Sequence, residues 1–400
     1  MMTHTELLEI ISNGENSGIE FKRDVLQNYD LAKELVAFSN LSGGIVLLGV
    51  EDDGSISGVT RADLEEWVMT ACRVKIKPGI IPFFEIVRGV EPGKDVAVVR
   101  VTRGFDVHSL WHNDRSTYFI RVGTQSREAS QEELARLFQQ RGLIRAELRP
   151  VSGATLEDFD QRRLRDYFSH VRQQDVPPDK DKAEWQTLLI NTEIMTDEGV
   201  TVGGMLLFGK TPNRFLPQAG IDAAAFPGIE KEYAARERKG LRGPMTPLLD
   251  TKGNIVENGL VEQALDFLQR NTPVTAILEN GRRIERPSYP PEVLREAIVN
   301  ALIHRDYLLS STDIELAIYS NRVEIISPGK LPNGITPDRM RAGCRASRNQ
   351  LLKDVMRDYR YLEHMGMGIP RKIILGMQKH NHTVPELVED QDRFILRLMA

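Results

Sequence analysis

The chain has 400 residues and a formal net charge of −5, with 41% hydrophobic and 27% charged residues. Ordinary domains hold roughly 100 to 200 residues, so we expect two or three folded units. The composition is that of a globular protein rather than a disordered or fibrous one. The small net charge excludes a globally basic surface, so any contact with nucleic acid must come from a local patch.

The cysteine content and the hydropathy of the chain predict its cellular compartment. Cys72 and Cys344 lie far apart and offer neither a disulfide framework nor a metal-ligand spacing, so we expect two reduced thiols. No apolar run reaches the roughly 18 residues that span a bilayer, and the polar start MMTHTELLEI lacks a signal-peptide pattern. These features predict a cytoplasmic protein without a membrane partner.

The first 145 residues are predicted to form an α+β domain. In the segment 30–40, Leu31, Leu35 and Phe38 recur at helical spacing. The short apolar run GIVLLGV at 44–50 ends in the turn EDDGS and is typical of a buried strand. Further helices are expected at 3–11, near 61–74 and at 130–141, and further strands in FFEIV, VAVVRV and TYFIRV.

Two interruptions divide the rest of the chain. The polar stretch 145–155 predicts a first boundary, followed by a middle connecting α/β domain over 146–287 with a helix near 156–171 and a strand at 204–209. The three prolines of RPSYPP predict a second boundary and the start of a helix. A C-terminal α/β domain over 288–400 should then begin with a helix at 292–303 and strands at 313–318 and 322–326.

The run GMLLFGKT at 204–211 matches the P-loop pattern GxxxxGK[ST] in every position. Its residues 205–208 are apolar and indicate a buried strand rather than a flexible loop, and Pro212 disfavours the helix that must follow a P-loop. We therefore interpret this run as a strand, a turn and a surface loop.

The most specific pattern of the first domain is ENSGIEFK at 15–22, followed by AFSNLSGGIVLLGVEDDG at 37–54 and YFIRVGTQSREAS at 118–130. These motifs, in this order, resemble the Schlafen core, also called the AlbA-like divergent ATPase-related domain, over about residues 12–142. In nuclease members of that family three carboxylates form the active centre. The resemblance implies that Glu15, Glu20 and Asp52 fill these positions, with Glu51 or Asp53 as alternatives to Asp52.

The residue types suit that chemistry. Clustered carboxylates bind hard cations such as Mg²⁺ or Mn²⁺, which stabilise the attacking and leaving oxygens in phosphodiester cleavage. Lys22 would then stabilise phosphate charge, and Lys22, Arg121 and Arg127 are the basic residues expected near a nucleic-acid backbone. The alternative is that these acidic loop residues are simply solvated.

In LREAIVNALIHRDY at 294–307, Glu296 and Asn300 are four residues apart and share one helix face, which His304 extends. Downstream follow IISPGKLP at 325–332, ASRNQLL at 346–352 and YLEHMGMGIPR at 361–371. This order resembles the GHKL ATP-binding fold, a Bergerat-like α/β sandwich, over about residues 288–400.

That resemblance implies roles for particular residues. Glu296 would polarise the hydrolytic water, and Asn300 would bind Mg²⁺ through a neutral amide oxygen. Three glycines would let the backbone approach ATP closely: Gly329, Gly366 and Gly368.

One departure from the GHKL pattern concerns base recognition. The family aspartate that recognises adenine, in a DxGxG-type box, is replaced here by Ser327-Pro-Gly329, which leaves base specificity open. The alternative interpretation of Glu296 and Asn300 is a polar helix face that contacts a neighbouring loop. For His304 alone we expect a structural role.

Three functions follow as hypotheses. The first is a divalent-metal-dependent nuclease or nucleic-acid-processing protein, acting on RNA such as tRNA or on single-stranded DNA, controlled by ATP and serving antiphage defence. The second is an ATP-binding, DNA-binding transcriptional regulator without catalysis. The third is an ATPase whose Schlafen-like domain recruits partners. Related modules often act as dimers, so a homo-oligomer is expected.

Overall fold

The computed structural model of the protein describes residues 2–104, 106–279, 282–332, 335–344, 346–362, 368–390 and 392–400. The chain divides into two compact units: unit 1, Met1–Ile144, and unit 2, Arg145–Ala400. Both units mix helices with sheets, which confirms the predicted α+β class. None of the described helices is long and apolar enough to cross a membrane.

Unit 1 is built around a sheet with strand order β1-β2-β5-β4, in which β1 is parallel to β2 and β5 is antiparallel to both of its neighbours. Smaller sheets are formed by β3-β6-β7 and by β8-β9. The helices are α1 (His4–Asn13), α2 (Asn28–Asn40), α3 (Leu64–Lys75) and α4 (Gln131–Gln140). The strands are β1 (Ile19–Lys22), β2 (Gly43–Leu48), β3 (Ile76–Lys77), β4 (Phe83–Glu91), β5 (Lys94–Thr102), β6 (Ser109–His112), β7 (Arg115–Thr117), β8 (Phe119–Val122) and β9 (Gln125–Glu128).

Two apolar layers cover the main sheet of unit 1. Side chains of a strand alternate between faces, so Val46 and Leu48 lie in the cluster with α2 while Leu47 lies in the cluster with α1. Burial on both faces explains why β2 is apolar throughout instead of alternating. The helices cover the two faces with Leu31, Leu35 and Phe38 from α2 and with Leu7 and Ile11 from α1.

Unit 2 contains longer helices together with short irregular ones. Its helices are α5 (Gln161–Asp166), α6 (Lys182–Asn191), α7 (Val202–Phe208), α8 (Pro212–Phe215), α9 (Leu260–Asn271), α10 (Pro291–His304), α11 (Pro337–Arg341), α12 (Gln350–Asp358) and α13 (Leu375–Asn381). Short 3₁₀ turns lie at Ala146–Leu148 and Leu156–Asp158, and π-helical turns at Tyr167–Val171 and Gly368–Ile374.

The strands of unit 2 are β10 (Met195–Thr196), β11 (Gly199–Val200), β12 (Ile221–Ala225), β13 (Glu237–Leu241), β14 (Leu248–Leu249), β15 (Ile255–Glu257), β16 (Val274–Glu279), β17 (Arg282–Pro287), β18 (Ile314–Ile318), β19 (Arg322–Pro328), β20 (Glu386–Asp390) and β21 (Arg393–Met399). The main sheet has the order β13-β12-β18-β19-β21-β20. Because β12 pairs in parallel with β18, the segments 146–287 and 288–400 contribute to one sheet and one hydrophobic core. Helix α10 packs against β19 and α9.

The P-loop-like run lies in a helix, and the predicted strand at 204–209 was wrong. The Thr201 side chain accepts a hydrogen bond from the Gly204 amide at 3.0 Å and starts α7. Every residue of α7 is buried, and a short apolar run does not distinguish a buried strand from a buried helix. Pro212 begins the short helix α8, since proline is tolerated at a first helical position. The run does not form a phosphate-binding loop, because the Met205 and Gly209 amides bond to carbonyl oxygens of α7 and its cap, and the Lys210 amide bonds to the Asp158 carbonyl oxygen.

We predict that Gly204→Ala destabilises unit 2 by about 1 to 3 kcal/mol, because overpacking forces neighbouring atoms apart. A Cβ atom at Gly204 would lie 2.1 Å from the Ile194 carbonyl oxygen. Urea denaturation measures the loss, with Gly240→Ala as control, since its Cβ would meet no atom closer than 3.6 Å. Equal stability of Gly204→Ala and the wild type would contradict the packing of α7.

Candidate functional site

The Glu20 carboxylate of unit 1 lies on β1 and is 5% exposed. Its Oε2 atom lies 2.6 Å from the Arg121 guanidinium, and its Oε1 atom accepts a hydrogen bond from the Lys22 ammonium. Both oxygens of Glu20 therefore already face a cation of the protein itself. The charge of the buried carboxylate is neutralised within unit 1.

Arg121 lies at the centre of this ionic network. Its guanidinium pairs with Glu34 of α2 at 3.1 Å as well as with Glu20, and it donates to the carbonyl oxygens of Asn16 and Ile19 at 3.0 and 3.3 Å. Arg121 is only 5% exposed, so it does not present its charge on the surface, where a nucleic-acid backbone would bind. The geometry gives this arginine a structural role.

The charges of the network influence one another. Burial alone would lower the pKa of Lys22, but the hydrogen bond and the charge of Glu20 outweigh burial and raise it. Burial raises the pKa of Glu34, and the hydrogen bond from the Ser126 hydroxyl opposes that effect. The sequence analysis missed Glu34, although an acidic residue inside the apolar stripe of α2 indicates a buried partner.

The other predicted ligands of unit 1 make separate contacts. Glu15 accepts a hydrogen bond from the Phe21 amide at 2.8 Å, and Asp52 is exposed. Of the alternatives to Asp52, Glu51 pairs with Arg23 and Asp53 accepts from the Ser55 amide. Within the described ranges, no three or more His, Cys, Asp or Glu side chains are placed to hold a metal ion.

The donor set of unit 1 does not fit the divalent cation that the sequence resemblance implied. Two protein cations occupy both oxygens of Glu20, and a divalent ion there would have to displace them. Arg127 is likewise engaged, since it forms a bidentate pair with Glu133 at 2.7 and 2.9 Å. The predicted basic residues Lys22, Arg121 and Arg127 are therefore all ion-paired.

We predict that Arg121→Met lowers the free energy of unfolding of unit 1 by about 3 to 5 kcal/mol, because it leaves Glu20 and Glu34 buried with one cation fewer. Hydrogen exchange of the β1 and β8 amides measures this loss. Arg127→Met, which breaks an exposed pair, should cause a far smaller loss. Equal effects of the two substitutions would contradict the central position of Arg121.

Unit 2 contains a cavity of about 370 Å³ lined by α10, β19, β21, α12 and the turn that begins at Gly368. Glu296, Asn300 and His304 of α10 all line it, as their shared helix face predicts. Gly329 and Gly368 line it from other elements, so the cavity brings together residues that are distant in sequence. Gly366 lies outside the described residues.

The Glu296 carboxylate is 4% exposed and is held from two directions. Asn300 donates to its Oε1 atom at 3.1 Å, and the Lys372 ammonium lies 3.6 Å from its Oε2 atom. Gly368 approaches so closely that a Cβ atom there would lie 1.8 Å from Oε1. Only glycine fits this position without moving Glu296.

The described lining of the cavity is electropositive. It contains one carboxylate, Glu296, against three lysines, Lys330, Lys353 and Lys372. Apolar side chains from α10, β19 and β21 supply much of the remaining wall, as in pockets that bind small ligands. This combination suits an anionic ligand with an apolar part.

The chain bend at Gly329 shapes the same cavity. Gly329 has a φ of +109°, and a Cβ there would lie 2.4 Å from the Arg348 guanidinium. Arg348 is buried and donates to the His304 carbonyl oxygen at 3.0 Å. The sequence analysis missed Lys372, Lys353 and Arg348, although the ASRNQLL motif contains the last of these.

Comparisons with known proteins identify two domains. Residues 15–130 match the family described as "Schlafen, AlbA_2". Residues 311–398 match a family of HATPase type, described as "Putative ATP-dependent DNA helicase recG C-terminal". The chain thus joins a Schlafen AlbA_2 domain to a HATPase-like domain, which confirms both predicted resemblances. Together the matches indicate a nucleic-acid-related, ATP-binding protein.

Solved structures and curated proteins give the remaining comparisons. The crystal structure of the DIP2311 protein from Corynebacterium diphtheriae aligns with a TM-score of 0.45 and 21% identity, covering 96% of this chain and 75% of that chain. No curated protein matches the chain. Helix α10, which carries Glu296 and Asn300, precedes the residues of the HATPase match.

Proposed function

We propose that unit 2 binds ATP in the cavity beside α10 and that unit 1 binds nucleic acid without cleaving it. The ATP-binding part is carried by the convergence of Glu296, Asn300, Gly329 and Gly368 on one electropositive cavity. These residues belong to sequence motifs that lie far apart in the chain. The nucleic-acid-binding part is supported by the Schlafen AlbA_2 match of residues 15–130. The role that we propose for the protein is that of an ATP-responsive, nucleic-acid-binding regulator.

The polar end of the cavity supports phosphate binding. Lys372 adds a positive charge beside Glu296, and the close approach of Gly368 lets the backbone reach a ligand there. Asn300 commits its amide nitrogen to Glu296, so its amide oxygen is the group that would hold Mg²⁺ or Mn²⁺. Such an ion, bound with ATP, would neutralise phosphate charge.

Glu296 is the residue we propose for orienting a water molecule, should the bound ATP be hydrolysed. It is the one carboxylate in the described cavity lining, and a carboxylate can accept a proton from an attacking water. Glu296→Gln would then abolish ATP turnover while retaining binding. Phosphate release and calorimetry on the same samples separate the two effects.

We predict that Asn300→Ala weakens Mg²⁺-ATP binding by at least about tenfold, equivalent to about 1.4 kcal/mol, because it removes a cation ligand and loosens Glu296. Isothermal titration calorimetry measures the affinity. Asn321→Ala is the matched control, since Asn321 is exposed at the turn between β18 and β19. Wild-type affinity in Asn300→Ala would contradict this site.

The absence of cleavage is the part of the proposal that departs from the nuclease hypothesis. It is supported by the ionic network, in which Arg121 and Lys22 neutralise Glu20. We predict that purified protein binds tRNA, single-stranded DNA or duplex DNA but leaves each intact with Mg²⁺ or Mn²⁺, with or without ATP. Gel shift and denaturing gels measure binding and cleavage side by side.

Cleavage that needs metal and is lost in both Glu20→Gln and Asp52→Asn would overturn this prediction and support the nuclease. In that case a role in antiphage defence, which the sequence resemblance implied, becomes testable by plaque counts with the same variants. The expected homo-oligomer stays a prediction that a mass measurement in solution tests.

A further inference from the structure

The cavity of unit 2 has a second end, which the phosphate-binding proposal does not use. Glu296, Asn300 and His304 follow one another at four-residue intervals on α10. A helix rises about 1.5 Å per residue, so Glu296 and His304 are separated by about 12 Å along the axis. That length accommodates a nucleotide whose phosphates lie near Lys372 and whose base lies near His304.

Two polar groups at the second end have no hydrogen-bond partner among the residues that the structure describes. The His304 ring lines the cavity and makes no hydrogen bond with any residue in the described part of the chain. The Ser347 hydroxyl, from the loop before α12, is buried and likewise has no hydrogen-bond partner among the described residues. A buried polar group is normally satisfied, so the Ser347 hydroxyl indicates a ligand that supplies the missing bond, and the half-buried His304 ring beside it can bind the same ligand.

The His304 ring and the Ser347 hydroxyl can each donate and accept hydrogen bonds. Burial, assisted by the charges of Arg348 and Lys353, lowers the pKa of His304 to about 4, so its imidazole is neutral at pH 7. A neutral imidazole offers one donor and one acceptor, and a hydroxyl rotates to do either. The nearby Ser327 hydroxyl donates to the Ala301 carbonyl oxygen at 3.0 Å, which leaves it as an acceptor.

We infer that His304 and Ser347 bind the base of the nucleotide, and that they accept adenine and guanine with similar affinity. At ring position 6 of the purine, a carboxylate, which only accepts hydrogen bonds, selects the amino group of adenine against the carbonyl of guanine. The one carboxylate of the described lining, Glu296, lies at the opposite end. This inference rests on the proposed nucleotide binding.

Competition binding with Mg²⁺-ATP, Mg²⁺-GTP and tripolyphosphate, a probe without a base, tests the inference. We expect the affinities for ATP and GTP to agree within about tenfold, and a larger gap overturns it. If neither nucleotide binds, the proposed function fails together with the inference. If ATP binds and GTP binds far more weakly, only the inference fails.

Substitutions test whether His304 and Ser347 bind the base. His304→Ala and Ser347→Ala should each weaken ATP and GTP by about five- to tenfold, the effect of one neutral hydrogen bond, and leave tripolyphosphate unchanged. His304→Gln keeps a donor and an acceptor and should recover part of the loss, which also covers the case in which His304→Ala fails to fold. Ser310→Ala, at an exposed serine, is the control. Equal weakening of nucleotides and tripolyphosphate, or none, would overturn the assignment.

Discussion

Burial of a glutamate carboxylate is the constraint on which both units depend. A buried carboxylate is tolerated when cations and hydrogen bonds compensate its charge. In unit 1, Arg121 and Lys22 occupy both oxygens of Glu20. In unit 2, Asn300 and Lys372 hold Glu296 at the wall of a cavity. The charge of the buried carboxylate is compensated inside an ionic network in unit 1 and at the wall of a cavity in unit 2.

This contrast is the reason that we propose nucleotide binding in unit 2. The ion pairs around Glu20 connect β1, α2 and β8, and the charges of these residues neutralise one another. The cavity beside Glu296 is lined by three lysines and by the Ser347 hydroxyl, which has no hydrogen-bond partner among the described residues. A nucleotide with phosphates near Lys372 and a base near His304 would use both ends of the cavity.

Local patterns in the sequence predicted the elements that carry the site. The four-residue spacing of Glu296 and Asn300 places both in the cavity, and the prolines before α10 mark its start at Pro291. The α7 segment was predicted wrongly because its uniform burial removes the periodicity on which the assignment depends. Local patterns did not predict which residues pair, since Glu34 is distant in sequence from Arg121 and Lys372 is distant from Glu296.

The most direct test of ATP binding in this cavity is the affinity of Gly368→Ala for Mg²⁺-ATP, measured by calorimetry beside Gly240→Ala. A methyl group at Gly368 would overlap Glu296, since its Cβ would lie 1.8 Å from Oε1. The account predicts that a folded Gly368→Ala protein binds ATP at least about tenfold more weakly, while Gly240→Ala matches the wild type. Wild-type affinity in folded Gly368→Ala would contradict it.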